Sequence, residues 1–307
     1  MEYTSGEREN ISVSSGQTLG YKLKKDWKII LILTIIVLLG IVVRLVNYSD
    51  MGYWSDDPTA VPTALAWFYP HPEYPYAGYL GHGEPAFGHL FIGAGCMLSG
   101  EDFSGVQKMS HNFYPRRAEL IGKQLIKAEK YCVAPIHFFG IIFLILIAIL
   151  SYKILKGRAA IYPVAFFAFC PFILVHSRWI KVDVIMSTFV IIGLLFLWKA
   201  YNLEKGAKKE PVYFCLGSAF MGMAFAVRFT GAMFVLLPFF LIIEKYLSNI
   251  LYVIKRIMLW LNFSFAHKIT NITKDYRHLV KMLVLPGISI IFFYLLPFKF
   301  HTSYAIT

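Results

Sequence analysis

Twenty residues from 27 to 46 carry only Lys28 and Arg44 as charges. At 1.5 Å per residue a helix of that length covers roughly the 30 Å of a bilayer's hydrocarbon. Further runs of this kind lie at about 131–152, 159–176, 182–201, 212–227, 231–247 and 282–297. A chain built this way must satisfy its backbone polar groups internally, which in lipid leaves helices or closed barrels. Runs this long and unalternating are helical. The expected fold is therefore an all-α polytopic membrane protein of about seven transmembrane helices. Composition agrees: 57% of the 307 residues are hydrophobic, 16% are charged, and the mean hydropathy is +0.58. These values exclude a disordered chain and argue against a water-soluble enzyme.

The formal charge of +12 follows from topology. Its cations crowd beside apolar runs, as cytoplasmic flanks do, so no nucleic-acid partner is expected. Lys22, Lys24, Lys25 and Lys28 put the N-terminus in the cytoplasm. Residues 1–26 read as a disordered cytoplasmic tail without a cleavable leader, and 27–307 as the membrane domain. From 47 to 107 there is no Lys or Arg, yet there are seven acids: Asp50, Asp56, Asp57, Glu73, Glu84, Glu101 and Asp102. This opens a long first extracytoplasmic loop, 47–130.

Alternation of the spans then puts Lys153, Lys156 and Arg158, Lys199, Lys205, Lys208 and Lys209, and the cations of a connector at 248–281 on the cytoplasmic side. The apolar segment 85–98 is too short to cross and reads as a helix lying on or dipping into the outer surface. The cost is that Lys108, Arg116, Arg117, Lys123, Lys127 and Lys130 become extracytoplasmic, which long loops tolerate. Residues 249–278 alternate apolar and basic residues, a pattern shared by helix against anionic lipid and by a solvated connector. Cys96, Cys132, Cys170 and Cys215 are scattered without metal or redox spacing and are expected as buried thiols. The sites Asn262-Phe263-Ser264 and Asn271-Ile272-Thr273 fall in the expected cytoplasmic connector, and Asn47-Tyr48-Ser49 lies close to the bilayer.

Three polar sets share the outer side under this topology. Asp56 and Asp57 follow the first span; adjacent acids before Pro58 suit a helix start, and at a membrane surface they also suit a general base. His176-Ser177-Arg178-Trp179-Ile180-Lys181-Val182-Asp183 brings two cations and an acid to one membrane boundary, with snorkelling of Arg178 and helix capping by Asp183 as the plainer reading. Arg228 stands in Arg228-Phe229-Thr230-Gly231 between two apolar runs, where an ionisable residue is a functional candidate with a phosphate or carboxylate as partner. A sugar carried on a phosphate already has a good leaving group. It needs charge neutralisation by arginine and one base for the acceptor hydroxyl, and not the acid-and-base pair of a hydrolase.

The order of these motifs resembles the GT-C glycosyltransferases, most closely the dolichyl-phosphate-mannose protein mannosyltransferases. That family has an Asp-Glu pair early in its first outer loop, then a HPPLGK-apolar-Gly stretch, an Arg-containing turn leading to an Asp, and a Lys-aromatic-x-Gly turn. Here they appear as Asp56-Asp57, as Glu84-Pro85-Ala86-Phe87-Gly88-His89 running to Gly100, as His176-Ser177-Arg178 with Asp183, and as Arg228-Phe229-Thr230-Gly231. Asp57 replaces the family's Glu, Glu84 its His or Lys, Ala86 its second proline and His89 its lysine.

The resemblance implies a GT-C-like bundle and an inverting glycosyltransferase that moves a sugar, mannose by analogy, from a polyprenyl or dolichyl phosphate to an extracytoplasmic acceptor. A protein Ser/Thr hydroxyl or a lipid would be that acceptor. By resemblance Asp56 is the catalytic base and Arg228 a phosphate ligand. Asp57 and Glu84 would orient the base or bind acceptor, Arg178 and Lys181 would hold the phosphate with Arg228, and His89 and Asp183 would complete the substrate site. The host membrane would be the plasma membrane in a prokaryote and the endoplasmic reticulum in a eukaryote. No cofactor is expected: a divalent ion on Asp56 and Asp183 would lack a compact ligand set. Two other classes compete. A transporter or flippase for a polyprenyl-linked anion needs polar residues deep in the spans, where only hydroxyls such as Ser187, Thr188 and Ser218 occur. A non-catalytic subunit would tolerate loss of Asp56 and Arg228.

Overall fold

A computed structural model describes residues 15–46, 61, 64, 65, 67, 68, 87–103, 114–155, 157–179, 181–247 and 281–293. For 15–26, 114–127 and 129 only the backbone is described. These residues are all-helical outside turns. In order they form α1 (Ser15–Leu45), α2 (Phe87–Met97), α3 (Tyr114–Leu155), a 3-10 turn (Gly157–Ala160), α4 (Ile161–Phe169), α5 (Pro171–His176), α6 (Asp183–Tyr201) and α7 (Glu210–Val227). The rod α8 (Phe229–Leu247) opens on a 3-10 turn, and α9 (Lys281–Phe293) follows. Five stretches are long and apolar enough to cross a membrane: Trp27–Leu45, Lys130–Leu155, Asp183–Tyr201, Glu210–Val227 and Phe229–Leu247. The chain is an integral, multi-pass membrane protein.

Three elements differ from the sequence reading. Helix α1 starts at Ser15, inside the segment expected as tail, and α3 starts at Tyr114, inside the expected loop. Both extensions are rich in Lys, Leu, Glu or Ala, good helix formers that a hydropathy scan does not see. The stretch expected as one span over 159–176 is broken. Cys170 takes an extended conformation (φ −61°, ψ 120°) ahead of Pro171, which separates α4 from α5.

That break explains a buried cation. Pro171 has no N–H, so the Phe167 carbonyl loses its helical partner. Arg44, fully buried at the end of α1, supplies the donors instead: Nη2 donates to Phe167 O (2.7 Å), and Nη1 to Ala168 O (3.1 Å) and Gly40 O (3.0 Å). The helices come this close because residue 40 is glycine; a Cβ there would lie 2.7 Å from the Leu144 side chain and 3.0 Å from that of Ala168. Small residues at crossings are the ordinary means of packing helices in lipid.

Helices α6 and α7 form an antiparallel hairpin on the same principle. A Cβ on Gly193 would sit 3.0 Å from Gly217 O, and one on Gly217 would sit 2.6 Å from Leu197. The connecting turn passes through Gly206 at φ 85°. Helix α2 wedges against α3 and the hairpin. Phe87, Phe91, Phe139 and Phe189 interlock with centroid separations of 5.0–6.2 Å. A Cβ on Gly93 would meet Ala64 O at 2.3 Å, and one on Gly95 would meet Tyr131 O at 2.4 Å. The expected short helix within 85–98 is present, and its residues Gly88, His89, Ile92, Gly93, Gly95 and Cys96 are buried within the protein.

The expectation of four thiols is corrected by this packing. Cys96 of α2 and Cys132 of α3 are joined by a disulfide, with Cα atoms 4.2 Å apart across a sequence separation of 36. Cys170 and Cys215 remain thiols. The pairing arises from the α2–α3 crossing, which has no signature in Cys spacing.

The two ends of the bundle differ. Lys153 lies 5.4 Å over the Trp198 ring and Lys199 4.3 Å over Tyr213, so the end of α3, the end of α6 and the start of α7 share one end with exposed Lys205, Lys208 and Lys209. The last turn of α1, the start of α6 and the end of α7 meet at the other, with α2.

Candidate functional site

At the end opposite the lysines, α5 passes into α6 through a tight turn. Ser177, buried, donates through Oγ to Leu174 O (2.8 Å), and the Arg178 amide donates to Val175 O (2.9 Å). Arg178 thereby points at α1, and its Nη2 donates to Val43 O (2.5 Å) and Val46 O (2.6 Å). Carbonyls in a helix's last turn lack intrahelical donors and favour a cation. Arg178 thus ties the end of α1 to this turn. The same turn builds an aromatic and cationic shelf: the His176 ring lies 4.3 Å from Phe172 and 5.2 Å from Trp179, and Lys181 Nζ lies 5.4 Å from the Trp179 centroid.

Asp183 opens α6 and Arg228 closes α7. Arg228 takes an extended conformation (φ −155°, ψ 141°), and its carbonyl accepts from the Gly231 amide at 2.9 Å. Glycine is required at 231, because a Cβ would lie 2.5 Å from Ala224 O where the chain folds back over the end of α7. From there Arg228 Nη1 pairs with Asp183 Oδ1. Their side chains keep 29% and 25% of their surface exposed, so the pair is open to a ligand.

Helix α2 reaches the same place. A Cβ on Gly88 would meet Val182 Cγ1 at 2.6 Å and Val227 Cγ1 at 2.8 Å, the residues just before Asp183 and Arg228. His89, next in sequence, is buried at 6% exposure. The segments carrying His89, Arg178, Lys181, Asp183 and Arg228, distant in sequence, therefore converge at one end. Asp56, Asp57 and Glu84 lie outside the described residues, as does the connector apart from its last residue, Lys281. Among the described residues no group of three or more His, Cys, Asp or Glu is arranged to hold a metal ion.

What the arrangement offers is a partly exposed guanidinium with a lysine near it, a carboxylate partner and aromatic surface at a membrane boundary. That suits a phosphate-bearing lipid headgroup. Residues 127–267 match the family model of dolichyl-phosphate-mannose-protein mannosyltransferase. The match includes the turn with Arg178 and Lys181, the Asp183–Arg228 pair and the α6–α7 hairpin, and leaves out Asp56, Asp57, Glu84 and His89. No curated protein and no solved structure matches the chain.

Sequence reasoning missed Arg44, the Cys96–Cys132 bond and a buried pair at the lysine end, Glu210 with Lys245 (2.7 Å). Only Arg44 left a readable signal: an arginine near the end of an apolar run, with a proline elsewhere that frees a carbonyl.

Proposed function

We propose that the protein is an inverting glycosyltransferase that moves mannose from a dolichyl- or polyprenyl-phosphate donor to a hydroxyl acceptor, such as a protein Ser or Thr, on the extracytoplasmic side. The observation that carries this reading is the meeting of the Asp183–Arg228 pair, Lys181 and the start of α2 at one end, inside a chain whose residues 127–267 match the mannosyltransferase family. Arg228 and Lys181 would neutralise the donor phosphate, and Arg178 would hold the end of α1 in position beside them. A bundle of seven spans, with α4 and α5 together making one and α9 entering the last, completes the topology.

Two features support the outward orientation. The lysine-rich end is the cytoplasmic one by the positive-inside rule. The opposite end holds the Cys96–Cys132 disulfide, a bond that persists in oxidising compartments and is rare in the cytosol. The base would come from Asp56, with Asp57, Glu84 and His89 lining the acceptor. Asp57 precedes Val61 by four residues, a tether of at most about 14 Å. Val61 is buried in the same core as Ile92, Cys132, Val182 and Val227.

In the reaction the acceptor oxygen attacks the anomeric carbon from the face opposite the phosphate, and its proton passes to the Asp56 carboxylate. The bond from the anomeric carbon to the phosphate oxygen breaks, and the phosphate leaves with the electron pair. The test is transfer from polyprenyl-phospho-mannose in membranes containing Asp56→Asn. A fall of roughly 10²–10⁴-fold is expected for loss of a general base. Unchanged turnover removes Asp56 from the mechanism.

A further inference from the structure

Lys153, at the end of α3, lies 5.4 Å over the Trp198 ring of α6, and the residue after that ring, Lys199, lies 4.3 Å over the Tyr213 ring of α7. Lys209 is the N-cap of α7, and its carbonyl accepts from the Tyr213 amide (3.2 Å), which puts the two side chains one turn apart on the same face. Three helix ends thus join their lysines into one strip around two rings. We propose that this strip is a binding site for an anionic phospholipid, with Lys199 and Lys209 holding the phosphate and Lys153 beside them. The site is independent of the reaction read at the opposite end.

Three features point to that ligand. Among the described residues, Lys153 and Lys199 face rings and not carboxylates. The described acids of this end are engaged or apart: Glu210 pairs with Lys245 (2.7 Å), Glu244 accepts from the Tyr201 hydroxyl (2.9 Å), and Glu204 is exposed in the turn with Lys205 and Lys208. Neighbouring segments whose side chains are not described do not reverse the sign. Residues 248–280 add Lys255, Arg256, Lys268, Lys274 and Arg277 against Asp275, and residues 1–26 hold four cations and four acids. Second, Lys208 and Lys209 stand at the N-terminal end of α7, where the helix dipole favours an anion and opposes a cation. An anion bound between the lysines and the helix end removes that conflict. Third, Trp198 and Tyr213 lie in end turns of two membrane-crossing stretches, Asp183–Tyr201 and Glu210–Val227, which sets the strip at headgroup depth. Exposed Val212 and Leu216, one turn apart on α7, continue the surface toward the hydrocarbon. A phospholipid is the anion that reaches this depth with its acyl chains already beside such a surface.

The full-length protein in phosphatidylcholine nanodiscs tests this, doped with spin-labelled phosphatidylglycerol or spin-labelled phosphatidylcholine. The motionally restricted fraction of each label gives the relative affinity. A lysine at an anionic lipid surface is worth about fivefold, so two on one phosphate should give wild type about a twentyfold preference for phosphatidylglycerol. Lys209→Gln, which leaves Lys199 over Tyr213, should lose about fivefold of it, and Lys199→Gln/Lys209→Gln nearly all. Lys199→Arg/Lys209→Arg keeps the charge and should keep the preference. So should Lys22→Gln/Lys24→Gln, which removes as much charge from α1. No preference in wild type, or an undiminished one in Lys209→Gln and Lys199→Gln/Lys209→Gln, overturns the proposal. An equal loss in Lys22→Gln/Lys24→Gln overturns it too, because diffuse charge alone is then at work. Displacement of the labelled lipid by excess glycerol phosphate would make the ligand a soluble anion and likewise overturn it.

Discussion

Glu210 is fully buried at the start of α7, and its carboxylate is met by partners from three directions. Lys245 Nζ lies 2.7 Å from Oε1, while the Tyr246 hydroxyl (2.6 Å) and the Gly206 amide (2.9 Å) donate to Oε2. Lys245 in turn donates to Ala200 O and Leu203 O at 2.9 and 2.7 Å. One carboxylate thus fixes the α6–α7 turn to the end of α8. Removing one member of a buried pair leaves the other charge uncompensated, which typically costs about 3–5 kcal/mol. Glu210→Gln is therefore expected to destabilise the detergent-solubilised protein by that order in thermal unfolding, with Glu210→Gln/Lys245→Met recovering most of the loss. A single variant as stable as wild type would show that the pair does not hold the turn. Arg44, Arg178 and Arg228 make a related point about identity. All three read in sequence as cations near apolar runs, yet the first two serve carbonyls at helix ends and the third faces a carboxylate. Their long-range partners, Phe167 O, Val46 O and Asp183, separate them, and those lie more than forty positions away.

Helix α2 is the element that sequence located best and explained least. Its length and apolarity marked it as a short helix, and its glycines permitted close approach. Which helices it approaches depends on contacts with no local signature. Its tie to α3 through Cys96 and Cys132 can be checked by thiol counting. The denatured, unreduced protein should expose two thiols, Cys170 and Cys215, and the reduced protein four. Four thiols before reduction would contradict the bond. Loop-closure entropy for a crosslink of this span is worth about 4 kcal/mol in the simplest model, so Cys96→Ser should unfold earlier and loosen α2 from the turn at Val182. Long spans were legible because twenty apolar residues have few alternatives. The division of α4 from α5 was written in Pro171, but a hydropathy window averages across a proline. The early starts of α1 and α3 were missed for the opposite reason: their added turns are polar and visible only to helix propensity.

On the scale of the whole molecule, charge sorts the two ends and the helices carry the sorting into space. Lys153, Lys199, Lys205, Lys208 and Lys209 gather at one end, and the Asp183–Arg228 pair, the Arg178 tie and the disulfide at the other. The motif order gave a resemblance and the residues to watch. It did not show that Gly88, Val182 and Val227 would touch, because that contact joins three helices through residues with no chemistry of their own. Nor did it show that Arg44 and Arg178 serve helix-end carbonyls while Arg228 pairs with a carboxylate. The central claim is that the guanidinium at the end of α7 neutralises the donor phosphate. It is tested most directly by mannosyl transfer from polyprenyl-phospho-mannose in proteoliposomes holding wild type or Arg228→Gln. Loss of one preorganised charge at a developing phosphate should lower turnover by about 10²–10³-fold. Transfer at the wild-type rate by Arg228→Gln would contradict the account.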